Sequence, residues 1–482
     1  MSRYEAVIGL EIHAQLLTKS KIFCGCSTAF GAPPNTHLCP VCLGLPGALP
    51  VLNHAAVDCA VRASVALGCE VHETSIFARK NYFYPDLPKG YQISQYERPL
   101  ATGGVIKAKS DYWAPDYDIR ITRIHMEEDA GKLLHDGFAD SGRRSYVDLN
   151  RAGTPLIEIV TEPDFRSGKD AAAFFSYLRE LLMAIGVNDG NMEEGSLRCD
   201  ANVSVRPAGE TALGTKAEIK NLNSFRFLEE AIAFETDRQI DLLASGGRVV
   251  QETRLWDTAA GVTVSMRSKE EAHDYRYFPE PDLPPLVVHA ARRETIAQQM
   301  PALPAERRRL LVDTHGLSMK DALQLSGGKG RYFDEMVTTW KASPKPAANL
   351  VMGVLSTKLN ELKTDDIAQI KVSPEHSARL LALADAGTIS ATIAKDVWLK
   401  AFDSGRTPDE IVAAEGLTQI DDEAQLTSII ADVIARNADA VAKYRGGNAG
   451  TFGFLVGQVM KAASGKANPK RVNELLKHAL GS

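Results

Sequence analysis

The chain has 482 residues, 44% of them hydrophobic and 24% charged, which is an ordinary composition for a soluble globular protein too long to fold around one core. The formal net charge of −6 excludes a wholly basic nucleic-acid binder, so any RNA contact is confined to a local surface. The N-terminal residues lead directly into a strand-like segment, and no long apolar window follows, so we expect a cytoplasmic protein.

The first predicted element is a strand that includes Val7 to His13, an apolar and β-prone run. Glu11 and His13 are two residues apart, so they share one face of that strand at a spacing of roughly 6.6 Å. Oxygen ligands with one imidazole suit Mg²⁺ or Mn²⁺, and Mg²⁺ commonly accompanies a nucleotide phosphate. Taken alone, a Glu or His of this kind is more often a salt-bridged surface group, and only the accumulation of such residues favours a metal site.

Four cysteines follow, spaced as C-x-C and C-x₂-C: Cys24, Cys26, Cys39 and Cys42. Four thiolates can close a tetrahedral zinc site that leaves no open position, so this pattern predicts a structural Zn²⁺ rather than a catalytic one. The alternative is four reduced thiols in a loop. Cys59, Cys69 and Cys199 are typical of core cysteines, and the odd total of seven argues against a disulfide framework.

An irregular segment from Lys80 to Gln92 combines aromatic side chains, amides and two lysines, and residues 274–282 repeat this character. Structureless segments of this kind are frequently functional. Lys80 or Lys89 can contact a phosphate, while the tyrosines either stack on a base or form the wall of a pocket.

Acidic residues and a histidine then accumulate at strand-like or turn-like points: His125, Glu127, Glu128, Asp129, Glu158, Glu193, Glu194 and Asp200. Carboxylates that converge in an apolar setting need a cation, because unpaired buried anions cost several kcal/mol. The accumulation favours a divalent metal.

The first 290 residues are predicted to be α+β. Strand-like runs at Tyr146–Leu149, Leu156–Val160 and Ala201–Val205 accompany a helix capped by Ser167 and ended by Gly186. Prolines crowd before residue 290, and beyond it helical periods predict an all-α second half, with a further boundary near 408. The expected domains are 1–290, 291–407 and 408–482.

The last 43 residues carry seven basic side chains and one acid, Glu474. Such a surface attracts a phosphate backbone by releasing counterions, although a solvated helical face has the same composition. No complete phosphate-binding glycine loop and no G-x-S-x-G nucleophile elbow is present. ATP binding is therefore expected to be unconventional, and hydrolysis through a nucleophile of this chain is not expected.

Several long phrases resemble, in order, the B-subunit family of aspartyl/glutamyl-tRNA(Asn/Gln) amidotransferases. They are Val7–His13, Arg79–Asp86, His125–Gly131, Asp148–Glu158, Met192–Asn202, residues 274–282 and Gly453–Lys461. The resemblance implies a cradle-like catalytic domain, a helical domain and a small helical tail, in a complex with a glutaminase subunit and a small third subunit. It also implies that ATP phosphorylates the side-chain carboxylate esterified to tRNA(Asn) or tRNA(Gln), and that ammonia from the glutaminase displaces the phosphate.

On the family pattern, metal binding and catalysis are assigned to Glu11, His13, Glu128, Glu158 and Asp200, with Glu127, Asp129 and Glu194 around them. Lys80 is assigned to the nucleotide phosphates. Recognition of the tRNA body is assigned to the tail residues Lys461, Lys466, Lys470 and Arg471. The main alternative is a non-catalytic RNA-binding scaffold with a structural metal site, and a metal-dependent hydrolase independent of ATP is a third hypothesis.

Overall fold

The computed structural model describes residues 3–107, 117–137, 140–268, 275–325, 327–364, 367–417, 423–448, 450–463, 466–467 and 469–481. Contacts divide the chain into two compact units, Met1–Arg307 and Arg308–Ser482. The first is rich in sheet, and the described part of the second is helical. The predicted order of an α+β first half and an all-α second half is therefore confirmed.

The strands are β1 (Tyr4–Gln15), β2 (Glu70–Val71), β3 (Thr74–Ser75), β4 (Ala78–Asn81), β5 (Tyr91–Ser94), β6 (Ala101–Thr102), β7 (Val105–Ile106), β8 (Ile119–Glu128), β9 (Lys132–Leu134), β10 (Tyr146–Asp148), β11 (Pro155–Thr161), β12 (Leu197–Pro207), β13 (Ala217–Lys220), β14 (Glu252–Asp257), β15 (Val262–Ser268), β16 (Phe278–Pro279) and β17 (Leu286–Val287).

The α-helices are α1 (His54–Ala66), α2 (Gly168–Ala184), α3 (Phe225–Ala244), α4 (Ala290–Gln298), α5 (Pro304–Arg309), α6 (Met319–Gln324), α7 (Gly327–Thr338), α8 (Pro344–Leu350), α9 (Ser356–Leu362), α10 (Pro374–Asp385), α11 (Ala391–Ser404), α12 (Pro408–Ala414), α13 (Glu423–Arg436), α14 (Ala438–Arg445), α15 (Gly450–Ala462) and α16 (Pro469–Leu480). Short π-helical turns span Leu310–Thr314 and Val351–Leu355, and a 3₁₀ turn spans Ile367–Gln369.

The first unit is built on a ten-stranded sheet in the order β15-β14-β13-β12-β1-β11-β8-β6-β2, with β7 also paired to β8. The β13–β14 pair is parallel, and the other pairs are antiparallel. Strand β1 lies near the middle. Its even-numbered residues from Ala6 to Ala14 are buried and apolar, whereas Glu11, His13 and Gln15 lie on the opposite face.

Helices supply the partner for the apolar face. Helix α3 packs on α2 and on β12, and α1 contacts β8 and β11. The predicted helix after Ser167 is confirmed, because the Ser167 side chain accepts a hydrogen bond from Asp170 N and Gly186 follows the helix with φ +67°. The apolar residues at helical spacing in this helix, including Phe174 and Leu178, are fully buried. These helices cover the apolar face of the sheet, and other segments of the chain lie over its polar face.

Part of the space above that polar face is taken by the two irregular segments. Strand β4 pairs with both β5 and β16, which brings residues 80–92 next to residues 275–282. Asn81 Nδ2 donates to the carbonyls of Tyr275 at 3.1 Å and Arg276 at 2.9 Å, and Arg79 forms a two-point ion pair with Glu280. Residue 274 lies outside the described residues.

The second unit contains two separate hydrophobic clusters, one between Leu311 and Val412 and one between Leu426 and Leu480. In the first cluster, Ser377 Oγ accepts from Trp398 Nε1 at 2.9 Å and lies 2.6 Å from Tyr332 Oη. Residues 378–384 and 426–435, whose apolar side chains recur at helical spacing, fall inside α10 and α13. Helix α4 belongs to the first unit, because its Ile296 is buried in the core under the sheet.

Among the described residues, none of the helices is long and apolar enough to cross a membrane.

Candidate active site

A row of polar side chains crosses four neighbouring strands on the polar face of the sheet. In β1, His13 is registered with Arg198 of β12 on one side and with Glu158 of β11 on the other. Glu158 is in turn registered with His125 of β8. Neighbouring strands lie about 4.8 Å apart, so the side chains of such a row meet.

Two carboxylates lie between two imidazoles in this row. His13 Nε2 is 3.3 Å from Glu158 Oε2 and 3.7 Å from Glu127 Oε1. His125 Nε2 is 3.4 Å from Glu158 Oε2 and 3.7 Å from Glu127 Oε2. Glu127 joins the cluster because it is two residues after His125 and therefore on the same face of β8. Three of these residues, His13, Glu127 and Glu158, bring their ligand atoms within 4.8 Å of one another.

The electrostatics of the cluster follow from burial and from opposite charges in contact. Burial disfavours the charged form of His125, but Glu158 and Glu127 outweigh it and raise its pKa to about 9. The pKa of His13 is raised for the same reason. Burial opposes ionisation of Glu158, yet the two imidazoles hold its pKa well below the usual range. The carboxylates are therefore anionic and pair with protonated imidazoles, and a metal ion bound by His13 would displace its proton.

The donor set fits a hard divalent cation with one imidazole ligand. Adjacent ligands at about 2.1 Å around an octahedral Mg²⁺ lie about 3.0 Å apart, and His13 Nε2 lies 3.3 Å from Glu158 and 3.7 Å from Glu127, so small side-chain shifts would bring all three onto one ion. The residues present are thus compatible with a bound Mg²⁺.

Glu11 and Asp200 form a second acidic group one step along the same face. They are registered with each other across β1 and β12. Glu11 Oε1 accepts from Asn202 Nδ2 at 2.8 Å, and Asp200 Oδ2 accepts from Lys220 Nζ at 2.6 Å. Both predicted residues therefore lie beside the cluster, each already paired with a neighbour of its own.

Glu128, which we predicted to be in the metal set, is not brought to this cluster. Because successive side chains of a strand alternate, Glu128 points away from His125 and Glu127. It pairs with Lys89 and accepts from Ile93 N at 2.8 Å. Glu127, expected only in a supporting position, takes its place.

The other two supporting candidates differ in position. Asp129 is buried and pairs with Arg198 at 3.1 Å and with Gln15 Nε2 at 2.7 Å, which ties the strand ends together near His13. Glu194 is exposed in the turn before β12 and is not among the residues whose ligand atoms cluster with His13.

Lys80 places a positive charge over the acidic face. Its Nζ lies 5.0 Å from the centre of the Tyr275 ring and 5.7 Å from that of Tyr82. Burial lowers the pKa of this ammonium, but Tyr277, Glu127 and Glu158 outweigh burial and raise it above its usual value. Lys80 is therefore charged and near the cluster, whereas Lys89 is held by Glu128.

The four predicted cysteines come together. The sulfur atoms of Cys24, Cys26, Cys39 and Cys42 all lie within 4.8 Å of one another, and those of Cys39 and Cys42 are 3.9 Å apart. Two thiolates bound tetrahedrally at about 2.3 Å lie about 3.8 Å apart, so this spacing suits zinc. Cys24 and other neighbouring groups lower the pKa of the Cys42 thiol to about 4.

Lys21 holds the cysteine-bearing loop from inside. This lysine is fully buried, and its Nζ donates to the carbonyl of His37 at 2.9 Å and is 3.5 Å from that of Leu149. The ammonium also favours the thiolate form of Cys42. The sequence did not single out Lys21, because its burial follows from loop packing.

The tail basic residues are in different environments. Arg471 contacts Glu423 at 2.5 Å and Glu474 at 3.0 Å, and Lys466 Nζ donates to the carbonyl of Gly416 at 2.7 Å. Lys461 is exposed near the end of α15. The backbone of Lys470 lies in α16. Lys461 and Arg471 are both exposed, and Arg471 is already paired with two carboxylates.

Sequence reasoning did not assign site roles to Arg198, Lys220 and Asn202. Each is an ordinary polar residue in the sequence, and only the pairing of β12 with β1 and β13 brings it to the acidic face. A register prediction for β1 and β12 would have been the signal that identified them.

Comparisons with known proteins agree along the whole chain. Residues 6–294 match the family model described as the GatB/GatE catalytic domain, and residues 331–480 match the one described as the GatB domain. Three similar proteins, each named as the B subunit of aspartyl/glutamyl-tRNA(Asn/Gln) amidotransferase, come from Anaeromyxobacter sp. (strain K), Myxococcus xanthus and Carboxydothermus hydrogenoformans. They are 55%, 51% and 51% identical, and each alignment covers 100% of this chain and 99% of the relative.

Proposed function

Because the chain belongs to the B-subunit family of aspartyl/glutamyl-tRNA(Asn/Gln) amidotransferases, we propose that it is the subunit that phosphorylates and then amidates misacylated tRNA. The substrates are Asp-tRNA(Asn), Glu-tRNA(Gln) or both. The observation that carries this proposal is the cluster of His13, Glu127 and Glu158 on the sheet that matches a catalytic domain.

The chemistry explains why such a cluster is needed. A carboxylate is a poor acyl donor because its leaving group would be oxide, whereas an acyl phosphate gives up phosphate readily. ATP therefore transfers its γ-phosphate to the Asp or Glu side chain, and ammonia displaces that phosphate to form the amide. Both the ATP phosphates and the incoming carboxylate are anionic, so the transfer needs positive charge at the site.

The residues of the polar face divide this work. His13, Glu127 and Glu158 would hold a Mg²⁺, which when bound offsets the charge of the phosphates. Lys80 contacts the phosphates from above the sheet, because its ammonium group lies close to Glu127 and Glu158. Glu11 and Asp200, on the same face, orient Asn202 and Lys220 toward the substrates. Arg198 lies in the same row as His13, so its guanidinium is placed to receive the substrate carboxylate.

The other assignments rest on the family and on particular residues. Ammonia comes from a glutaminase subunit, in a complex that also holds a small third subunit, and the protein works in the cytoplasm with its tRNA. Cys24, Cys26, Cys39 and Cys42 hold a structural Zn²⁺. The basic tail residues Lys461, Lys466, Lys470 and Arg471 contact the tRNA body, because phosphate contacts position RNA without reading its sequence.

The polar sheet face and the segments above it would form the floor and wall of a cradle for ATP and the tRNA end. The domain limits expected near residues 290 and 408 stay predictions. Two separate hydrophobic clusters lie on either side of residue 420, with Ile411 and Val412 in the first of them, and limited proteolysis would test both limits.

The test is phosphate release from ATP by the three-subunit complex with Mg²⁺ and ammonium chloride, with and without each misacylated tRNA. Ammonium bypasses the glutaminase. We expect one or both tRNAs to stimulate turnover and to be amidated, and Glu158→Gln to abolish both activities. Glu97→Gln, which changes an exposed carboxylate, is the matched control. Full amide formation by Glu158→Gln would contradict the proposal and favour a scaffold whose partner performs the chemistry.

A further inference from the structure

Strand β5 belongs to a small sheet with β4 and β16, and it packs on strand β8 of the large sheet. The two strands are joined by hydrogen bonds at successive residues of β5. Gln92 Nε2 donates to the carbonyl of Glu128 at 2.7 Å, and Ile93 N donates to the Glu128 carboxylate at 2.8 Å. Just past the strand, Gln95 Oε1 accepts from Met126 N at 3.0 Å. The two strands are therefore fixed against each other along residues 92–95.

Within this run of contacts, Ser94 bonds directly to the carboxylate cluster. Its hydroxyl donates to Glu127 Oε2 at 3.1 Å. Ser94 is 1% exposed and Glu127 is 3% exposed, so water has little access to replace this bond. Hydrogen bonds to ionised groups are stronger than those between neutral groups. The Ser94 hydroxyl is therefore a lasting neighbour of the Glu127 carboxylate.

The two oxygens of Glu127 have different neighbours. Oε2 accepts from Ser94 and lies 3.7 Å from His125 Nε2. Oε1 lies 3.7 Å from His13 Nε2, the imidazole nitrogen of the candidate metal site. A carboxylate turns about its terminal bond over a broad range of angles unless its oxygens are held. The bond from Ser94 thus determines which oxygen of Glu127 faces His13.

The face of the small sheet that carries Ser94 also carries Lys80. In the β4–β5 pair, Lys80 is registered with Gln92 and Ala78 with Ser94, so Lys80 and Ser94 point to the same side. Glu127 is one of the groups that raise the pKa of Lys80 above its usual value. The small sheet therefore brings a hydroxyl and an ammonium to Glu127 from one side.

We propose that Ser94 is a positioning residue of the metal site: its hydroxyl holds Glu127 Oε2, so that Oε1 is presented to the Mg²⁺ that His13 and Glu158 would also bind. The inference rests on the proposed function, because it assumes that this cluster binds Mg²⁺. Replacing a residue that orients a metal ligand commonly weakens metal binding about 10- to 100-fold. Ser94 acts through Glu127 and not through contact with the substrates.

The test is Mn²⁺ binding to the three-subunit complex without ATP, measured by electron paramagnetic resonance. Ser94→Ala should weaken Mn²⁺ binding about tenfold, because Glu127 loses the bond that orients it. In the phosphate-release assay, the same variant should need about tenfold more Mg²⁺ for half-maximal rate and keep the rate at saturating Mg²⁺ within about twofold. A loss of folded protein would instead lower the maximal rate and leave the Mg²⁺ requirement unchanged.

Ser75→Ala is the matched control. Ser75 is as deeply buried as Ser94, and its hydroxyl accepts from Gln95 Nε2 at 3.1 Å, beside the Ser94 contact. The substitution removes a buried hydrogen bond to an amide and not to a carboxylate of the cluster. The Ser75→Ala complex should therefore keep the wild-type Mn²⁺ affinity and the wild-type Mg²⁺ requirement.

The inference is overturned if Ser94→Ala keeps the wild-type Mn²⁺ affinity, or if Ser94→Ala and Ser75→Ala weaken Mn²⁺ binding equally. Glu127→Gln separates this failure from that of the proposed function. If Glu127→Gln abolishes Mn²⁺ binding and amide formation while Ser94→Ala behaves as wild type, the cluster is the metal site and only the role of Ser94 is wrong. A wild-type complex that binds no Mn²⁺ would overturn both the metal assignment and the role of Ser94.

Discussion

Glu158 bridges two imidazoles through one oxygen: its Oε2 lies 3.3 Å from His13 Nε2 and 3.4 Å from His125 Nε2. The three residues come from three adjacent antiparallel strands and are registered side by side. Strand pairing thus brings these charged side chains together. A change of register by one residue would turn them toward the helices.

The neighbouring residues Glu127 and Glu128 should respond differently to the same substitution. Glu127→Gln removes a charge from the His13 cluster, so we expect loss of ATP-dependent amidation. Glu128→Gln leaves the largely buried Lys89 without its carboxylate, so we expect a loss of about 3 kcal/mol in the free energy of unfolding.

Urea unfolding and the Mg²⁺ dependence of phosphate release, measured on both variants, test this pair. The folded Glu128→Gln protein should keep the wild-type Mg²⁺ dependence. If it loses that dependence and Glu127→Gln keeps it, the assignment of the two faces of β8 is reversed.

The cysteine cluster should hold one zinc ion per chain. Cys39→Ser should lower the zinc content of the purified protein and its thermal midpoint, because the metal ties together two parts of one loop. Elemental analysis and thermal melting measure these effects. Cys69→Ser, outside the cluster, is the control and should keep its zinc. If the protein contains no zinc after purification under reducing conditions, the assignment is contradicted.

Glu235 should be a major stability residue of the first unit. This fully buried carboxylate of α3 accepts from Arg238, from Gln239 Nε2 and from Thr263 Oγ1, and it also faces Arg254. Glu235→Ala leaves these groups without their anion, so we expect a loss of about 3–5 kcal/mol.

Glu230→Ala, in the same helix, breaks only an exposed pair with Arg226 and should cost less than about 1 kcal/mol. Urea unfolding followed by circular dichroism compares the two variants. Equal losses would mean that the buried network contributes no more than a surface ion pair.

In the tail, Lys461 should contribute more to RNA affinity than Arg471 does. Lys461 is exposed, whereas Arg471 is already paired with two carboxylates. Lys461→Ala should weaken tRNA binding and reduce the slope of log affinity against log salt by about 1. Filter binding at several salt concentrations measures both, with exposed Lys395→Ala as the control. An unchanged slope for Lys461→Ala would remove this residue from the interface.

The local features of the chain could be predicted from its sequence because they depend on short-range spacing. The alternation in Val7–His13 fixed which residues share a face, and Ser167 and Gly186 fixed both ends of α2. The four cysteines could be grouped from their spacing alone. For the same reason, the division into a sheet-rich half and a helical half could be predicted from the order of local patterns in the sequence.

The composition of the metal cluster depended on tertiary structure. Adjacent carboxylates look equivalent in the sequence, and only the pleat of β8 places Glu127 with His13 and Glu128 with Lys89. His13 and Glu158, which are far apart in the sequence, meet because β1 and β11 pair in one register. That register is set by burial of the opposite apolar face beneath α1, α2 and α3, a long-range effect that no local pattern contains.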